Sequence, residues 1–208
     1  MMVLHYGSIK HFVSAIILAA GKSTRMEGRQ KLLYQIGKKT IIEKTVDNLL
    51  GSKVDEVILV LGFFSREIIK KFSNYSDKKL RIVINSNYNS GMSSSILAGL
   101  EKINTVSDSI MICLGDQPFI ESDLLDLLID CYNSNRKGIV VPVNNKKTRG
   151  HPVIISLKYY ESLKSMHGDI GARKIIESNS DDICFFKIST NNIFTDIDTL
   201  EDYYKYIN

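Results

Sequence analysis

Short apolar runs alternate with segments of helical spacing along most of the chain. The runs have the length and composition of buried strands, whereas apolar residues three or four positions apart, as in Met92, Ile96 and Leu100, indicate amphipathic helices. The predicted strands of the first part are Val13–Ala19, Glu56–Leu61, Leu80–Ile84 and Ser109–Leu114, and the predicted helices are Thr40–Leu50, Ser65–Phe72, Ser93–Ile103 and Ser122–Tyr132.

The alternation is looser after about residue 138. Here the pattern predicts the strands Gly138–Val143, Pro152–Ser156 and Ile183–Ile188 and the helices Asp169–Glu177 and Thr199–Ile207. No repeat or low-complexity linker separates this part from the first. We therefore expect one domain over residues 13–208, preceded by a flexible N-terminal extension of residues 1–12.

Strands that alternate with helices predict an α/β protein: a Rossmann-like three-layer fold with a mostly parallel central sheet and helices on both faces. Ligands bind such sheets beyond the carboxyl ends of the strands. Small and polar residues follow four of the predicted strands directly, namely Leu18–Arg25, Gly62, Asn85 and Gly115–Pro118. These segments are the expected ligand site.

Composition narrows the class of ligand. The 208 residues carry a net charge of +4, which is too small a surplus to suggest a nucleic-acid binder but suits anionic ligands such as phosphates. The apolar run Ala15–Ala20 is too short to span a bilayer. Three widely spaced cysteines argue against a disulfide framework and a CxxC zinc site, so we expect a cytoplasmic protein.

The first loop, Leu18–Met26, consists mainly of small residues and is followed by Lys31. Such a loop lets backbone N–H groups approach a triphosphate, and Arg25 and Lys31 supply positive charge. It is not a P-loop, because Ile16 occupies the position of the first glycine, and it is not a dinucleotide fingerprint, because residue 23 is serine. An ordinary turn with exposed basic residues remains the alternative.

Two acidic segments could hold a magnesium ion, which prefers one or two carboxylates together with phosphate oxygens. Asp116 follows a strand, although an Asp-Gln-Pro turn would also place aspartate there. Asp196 and Asp198 would share one face of an extended segment. We favour Asp198, while Thr199 and Asp202 leave open a capping role for this region.

The loop LAAGKSTRM resembles the opening of the MobA-like nucleotidyltransferases, and most closely that of their CTP-using branch, the MocA-like molybdenum cofactor cytidylyltransferases. Further matching motifs occur in the family order between about residues 13 and 205. They are Gly91–Ser95, Gly115–Pro118, Gly150–Val153, Gly168–Arg173 and Asp196–Thr199.

The resemblance implies a fold of the nucleotide-diphospho-sugar transferase type, with a nucleotide-binding N-terminal half and an acceptor-binding C-terminal half. It implies transfer of CMP from CTP to molybdenum-molybdopterin, with Mg²⁺ or Mn²⁺ as cofactor and a transient complex with a molybdenum hydroxylase apoenzyme. The implied nucleotide-binding residues are Leu18, Ala19, Ala20, Gly21, Lys22, Ser23, Gly62, Ser94 and Ser95. Arg25 and Lys31 would act as electrostatic catalysts, and Asp116 and Asp198 as metal ligands. The implied acceptor-binding residues are Gly150, His151, Pro152, Gly168, Asp169, Gly171, Ala172 and Arg173.

Several alternatives stay open at this point. Ala20, where the GTP-using branch typically has glycine, favours CTP, but GTP or a sugar or polyol phosphate acceptor would fit the same chemistry. A non-catalytic carrier of the molybdenum cofactor is an alternative of another class. Ser94 and Ser95 could cap a helix, His151 could be a turn residue, and Arg173 could be a surface residue.

Overall fold

A computed structural model describes residues 10–23, 30–188 and 197–207. The strands are β1 (Val13–Ala19), β2 (Gln35–Ile36), β3 (Lys39–Thr40), β4 (Glu56–Leu61), β5 (Leu80–Ile84), β6 (Ser109–Leu114), β7 (Ile139–Val143), β8 (Val153–Ser156) and β9 (Ile183–Lys187). The α-helices are α1 (Ile41–Leu50), α2 (Ser65–Lys71), α3 (Met92–Leu100), α4 (Ser122–Ser134), α5 (Tyr160–Lys164), α6 (Arg173–Ser178) and α7 (Leu200–Ile207).

Within these described ranges, seven strands form a central sheet in the order β5-β4-β1-β6-β8-β7-β9. All neighbours are parallel except β8, which runs antiparallel to β6 and to β7. Ile112 near the end of β6 therefore lies opposite Val153 at the start of β8. This reversal places the residues that precede β8 at the same sheet edge as the residues that follow β1, β4 and β6. The predicted α/β class and the mostly parallel sheet are confirmed.

Both faces of the sheet are buried, which explains why its central strands are nearly continuous apolar runs. Along β1, Ala15 and Ile17 pack in the core cluster that contains residues of α1, α2 and α4. Ile16 points the other way, into the cluster that contains residues of α3, α5 and α6. Successive side chains of β1 thus pack into two cores, one on each face of the sheet. The three-layer prediction is confirmed.

The predicted helix Asp169–Glu177 is wrong as a single element. A short 3-10 helix covers Gly168–Ile170, and α6 begins only at Arg173. Gly171 separates them with a φ of +57°, where L side chains are strained, so the helical ladder cannot continue through it. The apolar spacing on either side of this glycine made the segment look like one helix.

The sequence pattern also missed short elements. A 3-10 helix at Lys31–Leu33 and the small β2–β3 hairpin lie between β1 and α1. The last helix, α7, has the expected capping arrangement: Thr199 Oγ1 accepts from the backbone N–H of Asp202, and Asp202 accepts in return from that of Thr199. Within the described ranges, no helix is long and apolar enough to cross a bilayer.

Candidate active site

A cavity of about 480 Å³ lies at the carboxyl edge of β1 and β6. Its walls come from the loop after β1, the Lys31 segment, the start of α3 and the residues after β6. Nine of the residues expected to bind nucleotide, catalyse transfer or hold metal line it: Leu18, Ala19, Ala20, Gly21, Ser23, Lys31, Ser95, Asp116 and Asp198. Three others, Lys22, Gly62 and Ser94, lie outside this lining.

Lys31 joins the two predicted metal ligands. Its Nζ lies 2.5 Å from Oδ2 of Asp116 and 2.6 Å from Oδ1 of Asp198, and all three side chains are largely buried. Burial alone would lower the pKa of Lys31, but the charges and hydrogen bonds of Asp116 and Asp198 outweigh it and raise that pKa. Lys31 is therefore a fixed positive charge in the cavity.

The carboxylate of Asp116 retains an unused ligand atom. Its Oδ1 is buried and, among the described residues, has no hydrogen-bond partner. A buried carboxylate oxygen normally has a partner, so an oxygen left over next to a second carboxylate fits a divalent cation. The part of the chain that the structure covers contains no group of three or more His, Cys, Asp or Glu placed to hold a metal. Any such ion would need oxygens from a ligand as well.

The region of Asp198 contains both a helix cap and a contact with Lys31. Thr199 and Asp202 form the cap of α7 between themselves, which leaves the carboxylate of Asp198 directed to Lys31. The backbone N–H of Ile197 donates to the carbonyl oxygen of Asp116 at 3.3 Å. This bond holds the segment beside the end of β6.

The loop after β1 is held in shape by two buried contacts. A Cβ on Gly62 would lie 2.8 Å from both Cβ and the carbonyl oxygen of Ala20, so only glycine allows the loops after β1 and β4 to approach this closely. The buried amide of Gln30 donates to the carbonyl oxygen of Gly21 at 3.2 Å and accepts from the hydroxyl of Ser23. Nζ of Lys22 lies 5.9 Å from the ring centroid of Phe63 and 6.0 Å from that of Tyr88.

Asn85, at the end of β5, orients the serines of α3. Its Oδ1 accepts from the backbone N–H of Asn87, which fixes Nδ2 as the donor to the hydroxyls of Ser94 at 2.9 Å and Ser95 at 3.1 Å. The hydroxyl of Ser94 in turn donates to the backbone carbonyl oxygens of Asn87 and Gly91. Ser95 lines the cavity, and its hydroxyl oxygen accepts from Asn85, so that bond does not use the hydroxyl hydrogen. The two serines thus do not act as simple helix caps.

A second cavity, of about 670 Å³, adjoins the first. Apolar side chains from the sheet and from α3 and α6 form its floor: Ile96, Ile112, Val141, Val153 and Ile176. Lys147, Arg149 and Arg173 also line it. The guanidinium of Arg149 lies 5.8 Å from the ring centroid of Phe185, which favours its position over the aromatic face.

Most of the residues expected to bind an acceptor line this second cavity, namely Gly150, His151, Asp169, Gly171, Ala172 and Arg173. Burial lowers the pKa of His151, and the charge of Asp116 opposes that shift only in part, so the imidazole is neutral at pH 7. Arg173 is mostly exposed and pairs with Glu177, with 2.8 Å between Nε and Oε1. Pro152 faces a small internal space beside α1 instead.

The two cavities share Met92 and Asp169. Asp169 Oδ1 accepts from the backbone N–H of Met92 at 2.9 Å, at the start of α3. The backbones also meet, because a Cβ on Gly91 would lie 2.5 Å from the carbonyl carbon of Gly168, and the φ of Gly91 is +96°. The missing Cβ of Gly91 makes this approach possible, whereas Gly168 lines neither cavity and has a φ of +72°.

Two of the residues singled out from the sequence, Arg25 and Asp196, lie outside the described residues. The lining or supporting residues that were missed include Gln30, Tyr88, Lys147 and Arg149, and the capping role of Asp169 was not foreseen. Arg149 directly precedes the Gly150–Val153 motif, and this position could have identified it as a site residue. Gln30 and Tyr88 have no local pattern that distinguishes them from surface residues.

Comparison with known proteins identifies the family. The MobA-like NTP transferase domain model matches residues 15–183. A nicotine blue oxidoreductase of Paenarthrobacter nicotinovorans is 27% identical over 198 residues, which are 93% of this chain and 95% of that protein. A probable molybdenum cofactor guanylyltransferase of Methanosarcina mazei is 33% identical over 123 residues, 58% of this chain, and the match spans only 54% of that relative's length.

The fold itself is found in Rv0371c of Mycobacterium tuberculosis, with a TM-score of 0.82 over 95% of this chain and 98% of that one. The sequence identity is 24%, so this likeness concerns the fold alone. The sheet order, the two adjoining cavities and the family match over most of the chain point the same way. The chain belongs to the MobA-like NTP transferase family and is a nucleotidyltransferase.

Proposed function

We propose that the protein transfers CMP from CTP to molybdenum-molybdopterin, giving molybdopterin cytosine dinucleotide and pyrophosphate. The observation that carries this proposal is the pair of adjoining cavities with different linings. One contains Lys31 and three carboxylates beside a loop of small residues, and the other has an apolar floor with basic and acidic residues around it. A nucleotide and an acceptor held in them would meet at Met92 and Asp169.

The first cavity suits a nucleoside triphosphate. Small residues at positions 19–21 let backbone N–H groups approach phosphate oxygens, and Lys31 supplies a positive charge. Ala20 supports a pyrimidine, because its methyl group occupies space in a loop that Gly62 already packs tightly. The hydroxyl of Ser95 would donate to an acceptor atom of the base.

Asp116 and Asp198 would hold a magnesium ion, for which the unused Oδ1 of Asp116 is the supporting observation. When bound, such an ion neutralises triphosphate charge. A structure of the M. tuberculosis protein is described as a complex with manganese, which supports a divalent cation in this fold.

The second cavity favours a flat heterocyclic acceptor over a polyol. Ile96, Ile112 and Val153 offer no hydrogen-bond partner, so a sugar or polyol hydroxyl that faces them would be unpaired, at a cost of about 1–3 kcal/mol. A pterin ring system can lie on this apolar floor. Arg149 and Lys147 are then available to an anionic tail.

The chemistry needs no general base. A phosphomonoester acceptor is largely a dianion near neutral pH, because its second pKa is about 6. One of its oxygens forms the new bond to the α-phosphorus, the bond from that phosphorus to the bridging oxygen breaks, and pyrophosphate leaves with the electron pair. Lys31 stabilises the charge on the α-phosphate and on the leaving group.

The test is transfer of α-labelled nucleotide to molybdenum-molybdopterin in the presence of Mg²⁺, with CTP, GTP, ATP and UTP run side by side. We expect label to move from CTP alone and Asp116→Asn to remove Mg²⁺-dependent transfer, while Asp130→Asn on the surface leaves it unchanged. Transfer from GTP alone would contradict the proposed base. Full transfer by Asp116→Asn would contradict the metal assignment.

An oxidoreductase is the second candidate function, because the relative that matches over nearly its whole length bears that name. The discriminating measurement is oxidation of NADH or NADPH by the purified protein with a quinonoid dye as acceptor. Turnover of the reduced nicotinamide without any transfer of labelled nucleotide would favour this candidate over the first.

A further inference from the structure

Two thiols lie close together away from both cavities. Cys131 in α4 and Cys184 in β9 have their Sγ atoms 3.4 Å apart. They are 53 positions apart in the chain, so their spacing in the sequence gives no sign of the contact. Both are free thiols, and neither lines the cavities described above.

The surroundings of the pair hold the sulfurs in place. Both side chains are half-buried and pack against the core cluster that contains α1 and α4. The side-chain amide of Asn135 lies 3.7 Å from Sγ of Cys131 and donates to it, which offsets only a small part of the rise in the pKa of this thiol. Burial raises the pKa of Cys131 to about 12, with a further contribution from the hydrogen bond to Cys184.

The remaining movement to a covalent bond is small. A disulfide has an S–S length of about 2.05 Å, so two sulfurs 3.4 Å apart must approach by about 1.35 Å. Cys184 lies in β9, which is the last strand of the sheet and pairs with β7 on one side. An edge strand is held from one side alone and can adjust more easily than a central one.

We propose that Cys131 and Cys184 form a reversible modification site that a low-molecular-weight disulfide oxidises to an intramolecular disulfide between α4 and β9. One cysteine thiolate attacks a sulfur of the small disulfide, forms a mixed disulfide and releases one small thiolate. The second cysteine thiolate then attacks the protein sulfur of that mixed disulfide and expels the other small thiolate. The protein loses two protons and two electrons, and the small disulfide gains both and becomes two thiols.

The new bond would close a loop that contains β7, β8, α5 and α6, which carry most of the second cavity. Closing a loop of this length lowers the conformational entropy of the unfolded chain. The oxidised protein should therefore melt several degrees above the reduced protein.

The test uses the fully reduced full-length chain, incubated with oxidised dithiothreitol or oxidised glutathione and examined by intact mass spectrometry and non-reducing peptide mapping. We expect a mass loss of two hydrogen atoms and a crosslinked pair of peptides that contain Cys131 and Cys184. Dithiothreitol in its reduced form should reverse both. The buried Cys113 should stay unmodified in the native protein.

Cys131→Ser and Cys184→Ser should each retain a single glutathione adduct at the remaining cysteine and show no crosslink. Cys113→Ala should still form the crosslink. If that variant does not fold, the peptide map of the wild-type chain is sufficient to identify the linked residues. Adducts on both cysteines without a crosslink, an unchanged mass, or a crosslink through Cys113 would each overturn the proposal.

Discussion

Asp169 Oδ1 accepts a hydrogen bond from the backbone N–H of Met92, 77 positions earlier in the chain, and so caps α3 from the opposite half of the protein. We expect Asp169→Ala to destabilise the protein by about 1 kcal/mol, the typical cost of a lost helix cap. The variant should also raise KM for the acceptor, because the wall between the cavities loosens. Urea unfolding and initial-rate kinetics measure the two effects.

Asp169→Asn is the matched variant, because its amide oxygen can still accept from Met92. It should recover most of the stability. Equal losses in Asp169→Ala and Asp169→Asn would show that the negative charge matters and the cap does not.

Because Lys31 lies between two carboxylates, its loss should change cation affinity and nucleotidyl transfer in opposite directions. Lys31→Met removes the ammonium group that pairs with the carboxylates of Asp116 and Asp198. Without nucleotide, the variant should therefore bind Mn²⁺ more tightly than the wild type does. Nucleotidyl transfer should nevertheless fall by about a hundredfold or more, as when one preorganised charge-stabilising donor is lost. Titration calorimetry and single-turnover kinetics measure these quantities.

Lys53→Met is the control, since Lys53 makes a similar pair with Asp130 on the surface. It should change neither Mn²⁺ affinity nor transfer. Unchanged Mn²⁺ affinity in Lys31→Met would mean that the carboxylates it bridges do not bind the cation.

Asn85 fixes which way the hydroxyl of Ser95 points, so it should act on nucleotide binding through that serine. In Asn85→Asp the donor to both hydroxyls becomes an acceptor, and Ser95 would turn its hydrogen inward. We expect KM for the nucleotide to rise about tenfold, the value of one hydrogen bond, with little change in kcat. Initial rates over a range of nucleotide concentrations measure the split.

Asn89→Asp introduces the same charge at an exposed position nearby and should leave KM unchanged. Ser95→Ala should raise KM as Asn85→Asp does, and the double variant should add little, because both changes remove the same donor. A fall in kcat with unchanged KM would contradict this role for Asn85.

The parts of the fold and of the site that could be predicted from the sequence are those that depend on neighbouring residues in the chain. The bounds of β1, β4 and β6 were predicted correctly, because a strand buried on both faces is a nearly continuous apolar run. The bounds of β5 were also predicted correctly, because Leu80–Ile84 is an apolar run interrupted only by Arg81. Asp116 was placed at the site because it directly follows one of these strands. The orientation of β8 and the contact of Asp169 with Met92 depend on pairings between distant segments, which no local pattern encodes.

His151 should make stability depend on pH. Its pKa in the folded protein is lowered by burial, so in the range below about 6.5 the unfolded chain binds more protons than the folded one. Unfolding free energy should therefore fall as the pH falls through that range, and His151→Gln should reduce the slope. Urea unfolding of both proteins at pH 7.5 and at lower pH values provides the comparison.

His167→Gln makes the same chemical change at an exposed histidine and serves as the control. Carboxylates that titrate in the same range contribute equally to all three proteins, so only the difference between slopes is informative. Identical slopes for the wild type and His151→Gln would contradict the lowered pKa of this imidazole.

Met92 and Asp169 belong to the walls of both cavities. Two separate molecules would occupy these spaces before the reaction, whereas the product would be a single molecule anchored at both ends. Such bivalent anchoring slows dissociation, since one end rebinds while the other is still held. The enzyme would then hold its product for most of each catalytic cycle, and product release would limit the rate of turnover.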